Sequence, residues 1–252
     1  VGDNFHNLRT AEGMRECFVP RKGFVFCSID FDMAELRAVA QIRKWLFGDC
    51  KLADALNAGK DVHSMLGANL MGCPYEEMVA NKNVGLHKKN RGFGKMGNFM
   101  LWGGGGVATF VETVNKSVKK KEDRIDETTG ARIKNAWKNT WEPDDYFKWV
   151  SSMTEQNAKY SSWVTGRVRA NLTYTQFANN GFQSLTADAA KEGLLPLAKE
   201  CYVDCGTPLF GSRPVLFTHD ENLFELREDM AHEAAFRARD IMVENFNKFT
   251  PD

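Results

Sequence analysis

Between Gly23 and Phe31 the chain reads GFVFCSIDF, a short apolar run rich in strand-forming residues, and MAELRAVAQIRKWLF follows it. In the second stretch Leu36, Val39, Ala40, Ile42 and Leu46 recur near helical spacing. The pattern predicts a buried strand running into a helix. From Asp54 to Trp149 little alternates at period two, and the text is mostly helical or irregular, with glycines from Gly103 to Gly106 and a mixed-charge stretch from Lys116 to Asp145. The last third predicts a long helix around Ser184 to Glu200, then two strands joined by a polar turn in RPVLFTHDENLFEL, then an amphipathic helix from Glu228 to Lys248. No internal repeat is visible at periods of roughly 20–50 residues. The order β-α, helical insertion, α-ββ-α predicts an α+β core interrupted by a helical subdomain.

Composition narrows this picture. With 252 residues, 43% apolar and 12% aromatic, the chain can bury a sizeable core, which excludes disordered and collagen-like classes. The 33 basic residues balance the 33 acidic ones, so any polyanion site must arise from local clustering. No apolar run approaches the roughly 18 residues of a membrane span, and no signal core follows the N-terminus. A soluble, cytoplasmic chain is expected, with no membrane partner, an organelle being the alternative. Six cysteines without a CxxC pair fit neither a disulfide framework nor a zinc site and predict reduced thiols. A start at Val1 and a stop at Asp252, just after a helical pattern, read as an excised segment of a longer protein.

Candidate chemistry begins with two acids at strand ends. Asp30 closes the first strand, where backbone pairing fixes its position, and Asp220 lies at the hairpin turn, clear of the sheet. Two such carboxylates brought together make a hard oxygen site of the kind Mg²⁺ prefers. The plainer alternative makes Asp30 a helix cap and Asp220 and Glu221 turn residues. A second signal is the window from Met78 to Val111, which holds Lys82, Lys88, Lys89, Arg91 and Lys95 and no acid. Within it Arg91, Lys95 and Phe99 are spaced i, i+4, i+8, inside an arc of roughly 80° on one helix face. Two cations and a ring on one face suit a nucleoside triphosphate; the alternative is a solvated basic helix with Phe99 buried. Gly92, Gly94 and Gly97 each weaken helicity by about 1 kcal/mol relative to Ala, so this helix should depend on packing or ligand. The Gly103 to Gly106 run lacks a following Lys-Ser/Thr and reads as a flexible turn rather than a P-loop.

In this order these residues carry a family resemblance. The run from Asp30 to Arg37 resembles motif A of the family A (polymerase I-like) DNA polymerases, Arg91-x3-Lys95-x3-Phe99 resembles motif B, and Thr218-His219-Asp220-Glu221 resembles the motif C hairpin. Weaker matches fill the intervals: Asn4 to Leu8 with Arg15, Phe18 and Pro20; Asp61-Val62-His63; Gly166-Arg167-Val168-Arg169; and Asn179 and Gln183 followed by Ala187-Asp188. The resemblance spans nearly the whole chain and implies a polymerase palm with a small antiparallel sheet and flanking helices, interrupted by mostly helical fingers. Palm is expected over 1–45, fingers over 46–165 and palm again over 166–252.

The resemblance implies template-directed DNA synthesis on primer-template DNA with dNTPs. Asp30 and Asp220 would hold two Mg²⁺ ions, with Glu221 supporting them. Arg91 and His63 would grip the triphosphate, Lys95 would neutralise phosphate charge and protonate the leaving pyrophosphate, Glu35 would block a 2′-hydroxyl and Phe99 would pack near the sugar. Arg37, Arg167, Arg169, Asn179, Gln183 and His219 are expected around primer and template. Two departures stand out. Trp102-Gly103 comes one residue early for the aromatic-Gly pair of motif B, so Trp102 stands as a replacement nucleotide contact in an uncertain register. Asp32-Met33 replaces the usual Ser-Gln, placing an extra carboxylate beside the metals that either binds metal or faces the opposite side of the strand; alternation puts it on the same side as Asp30 if the strand continues. A thumb and any exonuclease would lie upstream. A non-catalytic nucleic-acid-binding module, an inactive fragment and a metal-dependent nuclease remain the alternatives.

Overall fold

The computed structural model describes residues 17–118, 124–155 and 159–252; the matches at Asn4 to Leu8 and at Arg15 lie outside these described residues. The architecture is α+β, and the chain divides into two compact units. One comprises residues up to Ala34 together with Thr186–Pro251, the other Glu35–Leu185 with Asp252.

The first unit is built on a three-stranded antiparallel sheet of order β1-β5-β4, formed by β1 (Phe24–Asp30), β4 (Arg213–Thr218) and β5 (Glu221–Arg227). Alternation along β1 sends Val25, Cys27 and Ile29 onto a core shared with Phe224 and Leu226 of β5 and with Ala234, Ala238, Ile241 and Met242. Those last four belong to α11 (Ala231–Asn247), which follows a 3-10 turn at Glu228–Met230. Phe26, Ser28 and Asp30, at the intervening positions, are exposed. One sheet face is therefore covered by helix, and the other is left open where Asp30 stands. Strand β1 ends at Asp30 and the chain turns at Asp32 and Met33, the latter at φ 56°, so strand alternation does not extend to Asp32. α10 (Leu194–Tyr202) is tied to α11 by Arg237, which donates to Glu200 from Nε at 3.0 and 3.1 Å and from Nη2.

The long helix expected around Ser184 to Glu200 is two helices, α9 (Tyr174–Glu192) and α10, separated at Gly193. Pro196 supplies the reason: it has no N–H for the carbonyl of Glu192, and its ring crowds that carbonyl. The ladder restarts with the Leu197 N–H donating to the Gly193 carbonyl at 3.1 Å.

The second unit is helical: α1 (Ala34–Phe47), α2 (Lys51–Asn57), α3 (Val62–Met71), α4 (Tyr75–Ala80), α5 (Gly85–Met100), α6 (Val107–Ser117), α7 (Glu127–Trp141) and α8 (Asp144–Glu155), with a short hairpin of β2 (Tyr160–Ser161) and β3 (Val168–Arg169). Its core is aromatic. Trp102 meets Trp137 edge-on at 4.8 Å and Tyr146 at 6.0 Å, and Trp149 packs on Phe177 at 5.2 Å. Buried Arg43 reaches into this core and donates to the carbonyls of Trp141 and Glu142 at 2.7 and 2.9 Å. A cation is thereby set at the negative end of α7.

The glycines of α5 explain how that helix holds together. A Cβ on Gly94 would stand 2.4 Å from the backbone oxygen of His63, one on Gly97 would stand 3.2 Å from Leu66, and one on Gly67 of α3 would stand 3.0 Å from the backbone of Arg91. The helicity given up at Gly94 and Gly97 is returned as close packing of α5 on α3. Beyond α5, a 3-10 turn at Leu101–Gly103 ends on Gly104 at φ 75°, and Gly106 caps α6, so the glycine run is a turn between helices.

Candidate active site

In the first unit, pairing register brings three acids to one end of the sheet. Asp30 on β1 stands directly opposite Glu221 on β5, and Asp220 is the second residue of the two-residue turn joining β4 to β5. His219, the first turn residue, takes a left-handed φ of 55° and is exposed; this short turn keeps Asp220 at the sheet end. Ser28, on the same open face as Asp30, donates its hydroxyl to Glu221. Burial pushes the Asp30 carboxyl up, repulsion from Glu221 and Asp32 pushes it further, and a bond from the Phe31 backbone opposes them. Asp220 is likewise raised, by burial first and then by Asp30 and Glu221, against its own backbone N–H and His219. The carboxylates crowd one place and repel one another, and relief of that repulsion by a cation is the electrostatic condition for taking up a metal.

In the second unit, α5 presents the expected face. Arg91 is part-exposed and Lys95 exposed, Phe99 keeps 37% of its surface, and the Lys95 ammonium lies 5.8 Å from the Phe99 ring centre. Arg91 is not a solitary cation. Its Nε donates to Asp61 at 2.9 Å, and Asp61 also accepts from the backbone of His63 and Ser64 and from the Ser64 hydroxyl, forming the N-cap of α3. Burial alone would raise the Asp61 carboxyl, but the bonds from Arg91 and Ser64 outweigh it and hold the group below the usual carboxylate range.

His63 is 6% exposed and its ring lies 5.3 Å from that of Phe99. Its Nδ1 is 3.2 Å from Asn98 Nδ2, which also donates to the Val62 carbonyl at 3.0 Å, while Asn98 Oδ1 accepts from the Trp141 indole at 2.8 Å. With the Asn98 amide oriented by Trp141, its Nδ2 donates to Nδ1, which assigns the Nε2–H tautomer to a neutral His63 ring.

The remaining candidates fall into separate places. Arg167, Arg169 and Gln183 line one cavity of about 330 Å³ together with Tyr160 and Asn180, and Arg169 donates to Asn180 at 3.1 Å. Asn179, one helical step away on α9, instead bonds the Thr175 carbonyl at 2.8 Å and lies against Gly103. Glu35 and Arg37 occupy the first turn of α1, half-buried. Trp102, expected as a nucleotide contact, is 1% exposed and packed in the aromatic core.

Asp61, Asn98 and Ser28 received no role from the sequence. The Asp61-Val62-His63-Ser64 run is a cap signal ahead of an apolar helix and could have identified Asp61. Nothing local marks Asn98, whose partners lie 35 to 43 residues away.

The chain matches the family description "DNA polymerase family A" over residues 4–250. It is 34% identical over 77 residues to DNA polymerase I of Pseudomonas aeruginosa, a stretch of 30% of this chain and 8% of that protein. Its fold matches the POL domain of Pol1 from M. smegmatis, solved in complex with DNA primer-template and dNTP, with a TM-score of 0.69 at 19% identity, covering 98% of this chain and 41% of that one.

Proposed function

This chain belongs to DNA polymerase family A, and we propose that it supplies the palm and fingers of a DNA-directed DNA polymerase, joining a dNTP to a primer 3′-hydroxyl on a template with release of pyrophosphate. On this reading residues 1–45 and 166–252 form the palm and 46–165 the fingers, with thumb and exonuclease regions, where the full-length protein has them, upstream.

The observation that carries the proposal is the convergence of Asp30 and Asp220 at one end of an open sheet face. The donor set fits Mg²⁺: hard carboxylate oxygens, mutually repelling and reachable from solvent, with no soft ligand among Asp30, Asp220, Glu221 and Ser28. Bound at Asp30 and Asp220, two Mg²⁺ ions would supply Lewis acidity to the 3′-hydroxyl and offset charge at the α-phosphorus.

The chain's own residues do the rest. Asp61 engages Arg91 through Nε, which leaves the Nη edge of the guanidinium for phosphate oxygens. His63, accepting at Nδ1, offers its Nε2–H to the triphosphate. Lys95 neutralises phosphate charge and gives a proton to the departing pyrophosphate, while Phe99 packs by the sugar and Glu35 excludes a 2′-hydroxyl. Arg37, Arg167, Arg169, Asn179, Gln183 and His219 hold primer and template, and Glu221 buttresses the metal-binding acids through Ser28. Trp102 acts through packing, closing the end of α5.

Primer extension tests this reading in the full-length protein, using a labelled primer-template, Mg²⁺ and dNTPs. Asp30→Ala and Asp220→Ala should each abolish extension while leaving primer-template affinity within a few fold, because lost metal affects the transition state more than ground-state contacts. Retention of more than about a tenth of wild-type turnover, about 1.4 kcal/mol of barrier, would refute the metal assignment. Shortening of the primer, or a mobility shift without extension, would overturn the reaction itself.

A further inference from the structure

Away from the residues assigned above, the helical unit brings together three side chains of different metal-binding chemistry. The Cys73 thiol, the Glu77 carboxylate and the His87 imidazole offer ligand atoms that all lie within 4.8 Å of one another. His87 Nε2 is already 3.1 Å from Glu77 Oε1. Their positions are set by backbone geometry. α3 ends on Gly72 at φ 71°, and the N–H groups of Gly72 and Cys73 both return to the Ala68 carbonyl, at 2.8 and 3.1 Å, which pins Cys73 just beyond the helix. Pro74 then starts α4, putting Glu77 on its first turn. His87 lies on the first turn of α5.

We propose that Cys73, Glu77 and His87 form a binding site for a Zn²⁺-class divalent cation, which clamps α4 and the first turn of α5 to the end of α3. Thiolate sulfur with imidazole nitrogen selects borderline and soft metals such as Zn²⁺ over Mg²⁺, and one carboxylate completes a three-ligand set with water in the fourth position. Tetrahedral Zn–S and Zn–N bonds of about 2.3 and 2.0–2.1 Å place ligand atoms about 3.4–3.6 Å apart. His87 Nε2 and Glu77 Oε1, 3.1 Å apart, are already close to that spacing, and the 47% exposure of the Glu77 side chain leaves it room to move as the 4.8 Å cluster closes on an ion. Binding takes Cys73 as thiolate, its proton passing to the solvent. The absence of a CxxC pair hid this site, because its ligands come from three elements and only one is a cysteine.

The clamp has a structural consequence. Tyr75, between Cys73 and Glu77, accepts the backbone N–H of Asp61 through its hydroxyl at 2.9 Å, and Asp61 holds Arg91. Fixing α4 therefore steadies the cap from which Arg91 is oriented. The proposal does not rest on the polymerase reading, since ligand identity and spacing carry it whatever reaction the chain supports.

Co²⁺ titration of the metal-free chain, in excess Mg²⁺ and with a non-thiol reductant, is the test. One equivalent should produce a thiolate-to-cobalt charge-transfer band with the visible bands of a low-coordinate ion, and Zn²⁺ should bleach both. Cys73→Ser should remove the charge-transfer band and Cys205→Ser should preserve it. Glu77→Gln and His87→Gln should weaken Co²⁺ binding by at least about tenfold, since even outer-shell partners of metal ligands cost about 10–100-fold. Each variant is checked for wild-type helical circular dichroism, and the exposed Glu77→Gln substitution keeps the test valid if Cys73→Ser unfolds. Absence of the band at one equivalent, its survival in Cys73→Ser, its loss in Cys205→Ser, or unchanged affinity in Glu77→Gln would overturn the site.

Discussion

Replacing Gly94 with alanine tests how the helix carrying Arg91 and Lys95 is held. Glycine to alanine in a helix interior is worth about 1 kcal/mol in favour of the helix, so propensity alone predicts stabilisation. The structure predicts the opposite at this position. The new Cβ would lie 2.4 Å from the His63 carbonyl oxygen and 3.1 Å from the Gly67 nitrogen, so α5 must back away from α3 by about 1 Å to reach ordinary contact. Both obstacles are backbone, and bonds from Asn98 to Val62 and from Arg91 to Asp61 hold the two helices together. Overpacking costs typically about 1–3 kcal/mol and occasionally more, and with backbone as both obstacles the upper end applies. Net of propensity, a loss of at least about 2 kcal/mol is expected, or roughly 4–8 °C in Tm for a domain of this size. Gly92 is the internal control: nothing lies within 4 Å of its Cβ position, so Gly92→Ala should raise Tm by roughly 2–4 °C. Thermal melts followed by far-ultraviolet circular dichroism read both. If Gly94→Ala melted as high as Gly92→Ala, the close approach of α3 and α5 would be wrong.

Three further outcomes follow from the same geometry. Because the folded-state carboxyl of Asp220 is raised above its ordinary 3.8, its contribution favours the fold when protonated and is lost as pH rises from that value through the folded one; metal-free Asp220→Asn should therefore melt above wild type at neutral pH, with the gap closing in acid, and a gap independent of pH would sink this electrostatic account. Arg91→Ala and Lys95→Ala should each impair nucleotide incorporation much more than duplex affinity, and a large loss of salt slope for duplex binding with normal dNTP kinetics would reassign them to the DNA backbone. Glu35→Ala should narrow the preference for dNTP over rNTP by at least about tenfold, or 1.4 kcal/mol, in direct competition on one primer-template; an unchanged ratio would remove Glu35 from sugar selection.

Strand β1, helix α1, the β4-β5 hairpin and the cationic face of α5 were all legible in the sequence, because each depends on a period of two or 3.6 residues or on a polar two-residue turn, and such patterns act over a few positions. The break at Gly193 was legible in principle through Pro196, and the two-residue strands β2 and β3 were too short to show alternation. Tertiary structure alone decided which distant residues meet. It set Asp30 opposite Glu221, since register is chosen by which faces of β1 and β5 bury Ile29 and Phe224 against α11. It gave Arg91 a partner 30 residues away in Asp61, turned Trp102 into the core, and gathered Cys73, Glu77 and His87 from three elements. It also gave the glycines of α5 their purpose. A glycine's local propensity is unfavourable anywhere in a helix, and only the distance to a neighbouring backbone distinguishes Gly94, which α3 requires, from Gly92, which it does not.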